Sequence, residues 1–193
     1  TSLVKPRPIR PFQVLYLLAV EERRADMGSC LYTLTQAFNQ DEPFDFSVAL
    51  HVIEVDLLRG GANHGLLQGP HCIKCLQLLE EACDACLSAP PCNTHTRARH
   101  SGLPGPRPVR GSTWPRERPD LTPAESKAVS NANVLADYAI QAMTLAEAKG
   151  ICCFLEFPGD LGRTPRGTPA SLWQDPSMKQ LASTSLVRGA IYQ

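Results

Sequence analysis

Residues 12–20 read FQVLYLLAV, an almost unbroken apolar run of strand length. A strand wetted on one face alternates apolar and polar residues. A strand apolar throughout is buried on both faces, as in a parallel sheet covered by helices. Parallel neighbours cannot be joined by tight hairpins and need long crossovers, usually helices. The following residues supply them in order. Cys30, Leu31, Leu34, Ala37 and Phe38 recur at helical spacing, and residues 46–55 predict a second strand that ends against Asp56. Leu66 and Leu67 predict a short third strand. Residues 71–83 predict an amphipathic helix: Cys72, Leu76, Leu79 and Cys83 fall within about 40° of one line, with Lys74, Gln77 and Glu81 opposite. Residues 84–89 and 151–157 predict two further strands.

Between those two strands lies a strong helix signal. Thr122 can cap, Pro123 suits the first helical position and Glu125 completes a capping box, while Gly150 stops the helix. A short helix at 177–182 and a strand at 186–192 close the pattern. The chain therefore predicts one α/β domain over residues 12–193, with a mostly parallel sheet and helices on both faces. A basic, proline-rich segment at 1–11 precedes it. At 43% hydrophobic and 20% charged, the 193 residues suffice to bury a core and do not resemble a disordered chain. No apolar run is long enough to cross a bilayer, and no signal peptide is visible, which predicts an intracellular, reduced protein without a membrane partner.

Lys+Arg and Asp+Glu are both 19, so the net charge is zero and no overall field attracts nucleic acid. The local distribution is uneven. Residues 90–121 form a proline- and arginine-rich loop, and within 95–118 six arginines (97, 99, 107, 110, 116 and 118) face one acid, Glu117. That excess predicts a phosphate-binding stretch, with Trp114 as a stacking or wedge residue.

Eight cysteines include two Cys-x-x-Cys pairs, Cys72/Cys75 and Cys83/Cys86. Such pairs suggest zinc. Only seven residues link them, however, and those read as a helix whose apolar face includes Cys72 and Cys83. Cysteines used as small hydrophobes are the stronger expectation, with no metal; a zinc-stabilised structural domain is a third reading of the chain. Cys152 and Cys153 pack on opposite faces of their strand.

In parallel α/β sheets, functional residues sit in the loops after the carboxyl ends of strands. That rule singles out residues 21–28, 54–56, 90–100 and 156–160. The strand at 84–89 runs into Pro90-Pro91-Cys92, and the two fixed φ angles restrict where the thiol points. Arg97, Arg99 and His95 nearby are expected to favour the thiolate. Glu156 is a carboxylate leaving an apolar strand, an unusual place unless it has a task.

Pro91-Cys92-Asn93 after a strand, the strand ending Phe154-Leu155-Glu156, and the acidic strand end Glu54-Val55-Asp56 occur in the order found in the DNA cytosine-5 methyltransferases, which the sequence resembles over residues 12–193. The resemblance implies a Rossmann-like methyltransferase fold and S-adenosyl-L-methionine as cofactor. It implies that Cys92 adds to C6 of a flipped cytosine and that Glu156 hydrogen-bonds the base at N3 and its amine. Glu54, with Asp56 as the next choice, would hold the cofactor ribose, with Ala19 and Pro91 also on the cofactor side. Asn93, Arg97 and Arg99 would contact substrate, the 95–118 loop would contact DNA, and a nuclear location follows. The sequence departs from the pattern in three places. No glycine precedes Gly28 after the first strand, Gly65 stands where the family has an Asp, and the family's later Arg-rich motif and target-recognition domain are absent. A degenerate, truncated copy is expected. The alternative is a catalytically inactive module that keeps the fold and binds nucleic acid or another partner.

Overall fold

The computed structural model describes residues 9–18, 27–40, 47–56, 67, 69–160 and 162–184. Four strands, β1 (Ile9–Leu18), β2 (Ser47–Asp56), β3 (Ala85–Ala89) and β4 (Cys152–Leu155), form one sheet in the order β2-β1-β3-β4. Every pairing is parallel. Helix α1 (Met27–Gln40) joins β1 to β2, α2 (Gly69–Ala82) joins β2 to β3, and α3 (Pro123–Ala148) joins β3 to β4. Helix α4 (Pro176–Thr184) follows the sheet. The α/β architecture with a parallel sheet is thus as the apolar runs require.

Strand β1 begins at Ile9, three residues into the stretch read as an extension. Pro11 lies inside it. A proline is tolerated there because β1 pairs only with β2 at that end; its pairing with β3 starts at Val14. The connection β1–β2 steps one way across the sheet, and β2–β3 and β3–β4 step the other. Right-handed crossovers then place α2 and α3 on one face and α1 on the opposite one. In agreement, α2 and α3 share a core in which Leu79, Cys83, Tyr138, Ala142 and Ala146 pack with Val55 and Cys86 of the sheet. The Asn39 side chain ties α1 to β2, donating to Val48 O at 2.8 Å and accepting from Val48 N at 2.7 Å.

Helix α3 is the longest element at 26 residues. The expected capping box is formed: Thr122 accepts from Glu125 N while the Glu125 carboxylate accepts from Thr122 N. Its buried side is rich in alanine (132, 136, 139, 142 and 146), which lets the backbone lie close to β3 and β4. A second core joins α3 to α4 through Ile140, Met143, Phe157, Leu172, Met178 and Leu181.

Two expectations change. Leu67 lies in a turn and not in a strand, and its neighbour Leu66 lies outside the described residues, as does the strand expected at 186–192. The strand expected at 151–157 is limited to four residues. Its neighbour β3 runs into Pro90 and Pro91, which have no N–H to continue a ladder, and Glu156 N makes the last bond, to Ser88 O at 2.9 Å. Among the described residues no helix is long and apolar enough to cross a membrane.

Candidate functional site

Strand order reverses at β1, which has β2 on one side and β3 on the other. In such sheets ligands bind in the crevice at the carboxyl ends beside this switch point. Leu18, the last residue of β1, is in register with Asp56 and with Ala89. Ser88 is in register with Leu155, so Glu156 and the Pro90-Pro91-Cys92 segment leave adjacent strands at the same edge. Glu54 is half-buried in β2 opposite Tyr16, and Asp56 ends that strand. The topology therefore separates the expected residues into two groups flanking β1. Pro91, Cys92, Asn93 and Glu156 stand on the β3–β4 side, and Glu54 and Asp56 on the β2 side. Ala19 lies outside the described residues.

The thiol is presented by a turn. Pro90 is buried, Pro91 and Cys92 are half-buried, and His95 N closes the turn by donating to Cys92 O at 2.8 Å. Cys92 also packs against the apolar cluster of Phe157 and Met143. A 3-10 helix follows at Arg97–His100, capped by Thr96. Both arginines expected near the thiol buttress backbone. Arg99 Nε donates to Asn93 O at 2.7 Å, and Arg97 donates to Gly162 O at 3.1 Å and Arg163 O at 3.3 Å. Arg97 thereby ties the loop after β3 to the loop after β4. Asn93 and Glu156 are exposed.

His95 does not supply positive charge to the thiol, contrary to expectation. It is buried, with Thr94 Oγ1 3.4 Å from Nδ1 and Arg110 Nη1 3.0 Å from Nε2. Burial, reinforced by the Arg110 and Arg116 charges, pulls its pKa down to about 3, so the ring is neutral at physiological pH. The unfolded chain binds a proton near 6.5 and the folded ring refuses it down to about 3. This stabilising contribution is therefore complete above pH 6.5 and is lost as the pH falls through that window. A histidine-resolved NMR titration from about pH 5 to 8 is expected to leave the His95 ring resonances unmoved. A midpoint near 6.5 would contradict the burial argument.

Arg110 is the least expected residue of the site. It is only 1% exposed and remains cationic, although burial and the nearby Arg116 charge pull its pKa down to about 10. Its Nη1 donates to Asn133 Oδ1 at 2.8 Å and Pro115 O at 3.2 Å, besides meeting His95. Its sequence neighbourhood has no periodicity that marks it for burial; counted with the other arginines of the loop, it reads as one more exposed charge.

The phosphate-binding expectation for residues 95–118 is weakened by the same geometry, because all six arginines are engaged with the protein's own acceptors. Arg107 pairs with Asp120 at 3.0 Å and Glu125 at 2.8 Å, and Arg116 with Asp137 at 2.6 Å and Asp175 at 2.8 Å. Arg118 pairs with Asp120 at 2.9 Å and lies over the Trp114 ring, 5.6 Å from its centroid. Three of the six thus pair with acids outside the counted stretch, while Arg97, Arg99 and Arg110 are held by neutral acceptors. Residues 90–121 form a structured strap closed onto α3 and onto the segment before α4, with a Gly111–Trp114 bridge within it.

The zinc alternative loses its ligand set. Among the described residues no group of three or more His, Cys, Asp or Glu side chains is placed to hold a metal ion. Cys83 and Cys86 are buried core residues and Cys72 and Cys75 pack against the same core. Burial pushes the Cys86 thiol up to about 12. Cys153 faces the core, whereas Cys152 is exposed on the opposite face of β4.

No protein-family model matches the chain, and comparison with curated proteins and with solved structures finds no match.

Proposed function

We propose that the chain is a Rossmann-like methyltransferase domain of the cytosine-5 type, in degenerate form, with Cys92 as nucleophile and Glu156 as the residue that holds the base. The observation that carries this reading is the exit of Cys92 and Glu156 from adjacent parallel strands at one edge, beside the reversal of strand order. In this reading the Cys92 thiolate forms an S–C6 bond with a flipped cytosine, and the C5=C6 π pair moves to C5. Glu156, exposed beside the turn, donates the proton of its acid form to N3 and accepts from the exocyclic amine, and so stabilises the adduct.

Two carboxylates at the end of β2, on the far side of β1, suit the paired hydroxyls of a ribose. Glu54 and Asp56 are the residues that would hold S-adenosyl-L-methionine there. When bound, that cofactor supplies the electrophilic methyl group. The glycine-free segment after β1, where the sequence departs most from the family pattern, lies outside the described residues.

A second reading is favoured by one observation. With its arginines engaged internally, the 95–118 strap offers DNA fewer unpaired donors than the sequence promises, as expected of an interaction module that keeps the fold without the chemistry. Calorimetry with S-adenosylmethionine and with its demethylated product separates the two. Measurable heat is expected, followed by a covalent adduct with DNA carrying 5-fluorocytosine that Cys92→Ser abolishes. Absence of heat with both ligands overturns the enzyme reading in favour of the module. An adduct that survives Cys92→Ser refutes the role of Cys92.

A further inference from the structure

We infer that Arg110 and His95 are positioning residues that hold the Cys92 turn and the Glu156-Phe157 segment in one fixed relation, with the His95 ring locked as its Nδ1–H tautomer. The catalytic meaning of this relay rests on the reading of Cys92 and Glu156 given above; the geometry of the relay does not.

The tautomer follows from donor chemistry. A guanidinium only donates hydrogen bonds. Arg110 Nη1 lies 3.0 Å from His95 Nε2, so Nε2 must present its lone pair. A neutral imidazole then carries its proton on Nδ1, where Thr94 Oγ1 at 3.4 Å can accept it. The orientation of the remaining partner is determined independently. Asn133 Nδ2 donates to Arg116 O at 3.2 Å, which turns Asn133 Oδ1 toward Arg110 at 2.8 Å. Arg110 is therefore held from α3, and it holds His95 in turn.

His95 touches both halves of the site. Its backbone N–H closes the turn that presents Cys92. Its ring meets Phe157, the residue after Glu156, edge to face, with centroids 5.0 Å apart and planes at 78°. Phe157 is itself buried. A shift of the imidazole would thus move the carbonyl of Cys92 and the segment carrying Glu156 together. Among the described residues the hydrogen-bond partners of Arg110 are neutral acceptors and its Nε has none, while the Glu117 carboxylate acts on it only as a nearby charge. A buried cation with no carboxylate hydrogen-bonded to it is a poor device for stability alone. Its fork, which reaches the turn and α3 at once, is well suited to fixing their relative placement.

Two measurements test the relay on the full chain. Nitrogen-15 spectra of histidine-labelled protein, with His95 assigned by its loss in His95→Gln, are expected to show the Nδ1–H pattern. The Nε2–H pattern, or an average of the two, overturns the inference. The second measurement is the pH profile of iodoacetamide alkylation at Cys92, read on the peptide that carries it. His95→Leu, which removes the acceptor, is expected to shift that profile by ~1 pH unit or more. His95→Gln can present a carbonyl oxygen to Arg110 and is expected to restore the wild-type profile. A folded His95→Leu with the wild-type profile overturns the positioning role, as does a His95→Gln that behaves like Leu. Should His95→Leu not fold, the wild-type tautomer and the Gln variant still decide. A locked tautomer and a restored profile in a protein that gives no heat with S-adenosylmethionine leave the relay standing and remove only the methyltransferase reading.

Discussion

Replacement of Arg110 by methionine is expected to lower the free energy of unfolding by about 3 kcal/mol, the scale of leaving buried acceptors without their donor. Methionine replaces much of the stem's apolar volume and removes a cation from a site only 1% exposed, which taken alone would be favourable. The loss comes from what remains. His95 Nε2, Asn133 Oδ1 and Pro115 O lose their donor in a region closed to water, and each unsatisfied acceptor costs about 1–3 kcal/mol before relaxation. The same change detaches the strap from α3 at its most buried anchor. Urea unfolding with an unchanged m-value is the appropriate measurement. A loss below about 1 kcal/mol, the usual scale of a single surface change, would mean that the strap is held mainly by its exposed ion pairs. Arg110→Lys is expected to be destabilising as well, because an ammonium group cannot reproduce the fork.

The second large effect is expected at Leu79. This side chain is fully buried between α2, α3 and the sheet, where Val55, Cys83, Cys86 and Tyr138 surround it. Leu79→Ala removes apolar atoms and leaves a cavity that rigid neighbours on a strand and a 26-residue helix cannot close, which predicts a loss of about 2–5 kcal/mol. Leu103→Ala, at a position 72% exposed, is the control and is expected to stay within about 0.5 kcal/mol of wild type. Thermal or urea denaturation of the two variants checks the pair. Equal, small effects would refute the assignment of this cysteine-rich layer as the main core.

Much of the fold was legible because it rests on local patterns. The apolar run in β1 demanded a covered parallel sheet, the spacing of Cys72, Leu76, Leu79 and Cys83 defined the buried side of α2, and Thr122 with Glu125 marked the start of α3. Errors arose where a local pattern was interrupted by a neighbour's chemistry. The proline-rich segment 1–11 reads as preceding the domain although β1 begins at Ile9, where only one of its sides is paired, and the strand at 151–157 reads too long because the limit of β4 is imposed by the prolines after β3. The candidate site was legible in part. Strand-end geometry placed Cys92 and Glu156 at one edge, as their positions after apolar strands implied. The burial and mutual contact of His95 and Arg110 were not legible. Both are polar residues in a loop rich in arginine and proline, and nothing in their spacing distinguishes a buried donor–acceptor pair from two exposed charges.

The sequence by itself determined the main strands and helices of the sheet and the order in which they alternate, because hydrophobic period, capping and proline placement act over a few residues. It also determined which loops follow the carboxyl ends of strands. Only the tertiary structure decided what the charges in those loops do. Arg116 finds Asp175 across 59 positions, Arg110 finds Asn133 across 23 and Arg97 reaches Gly162 across 65. Such pairings depend on how the strap lies against α3 and the β4 loop. A charge count along the chain registers the arginines as an excess, whereas the folded protein brings acids and carbonyls from distant segments to meet them.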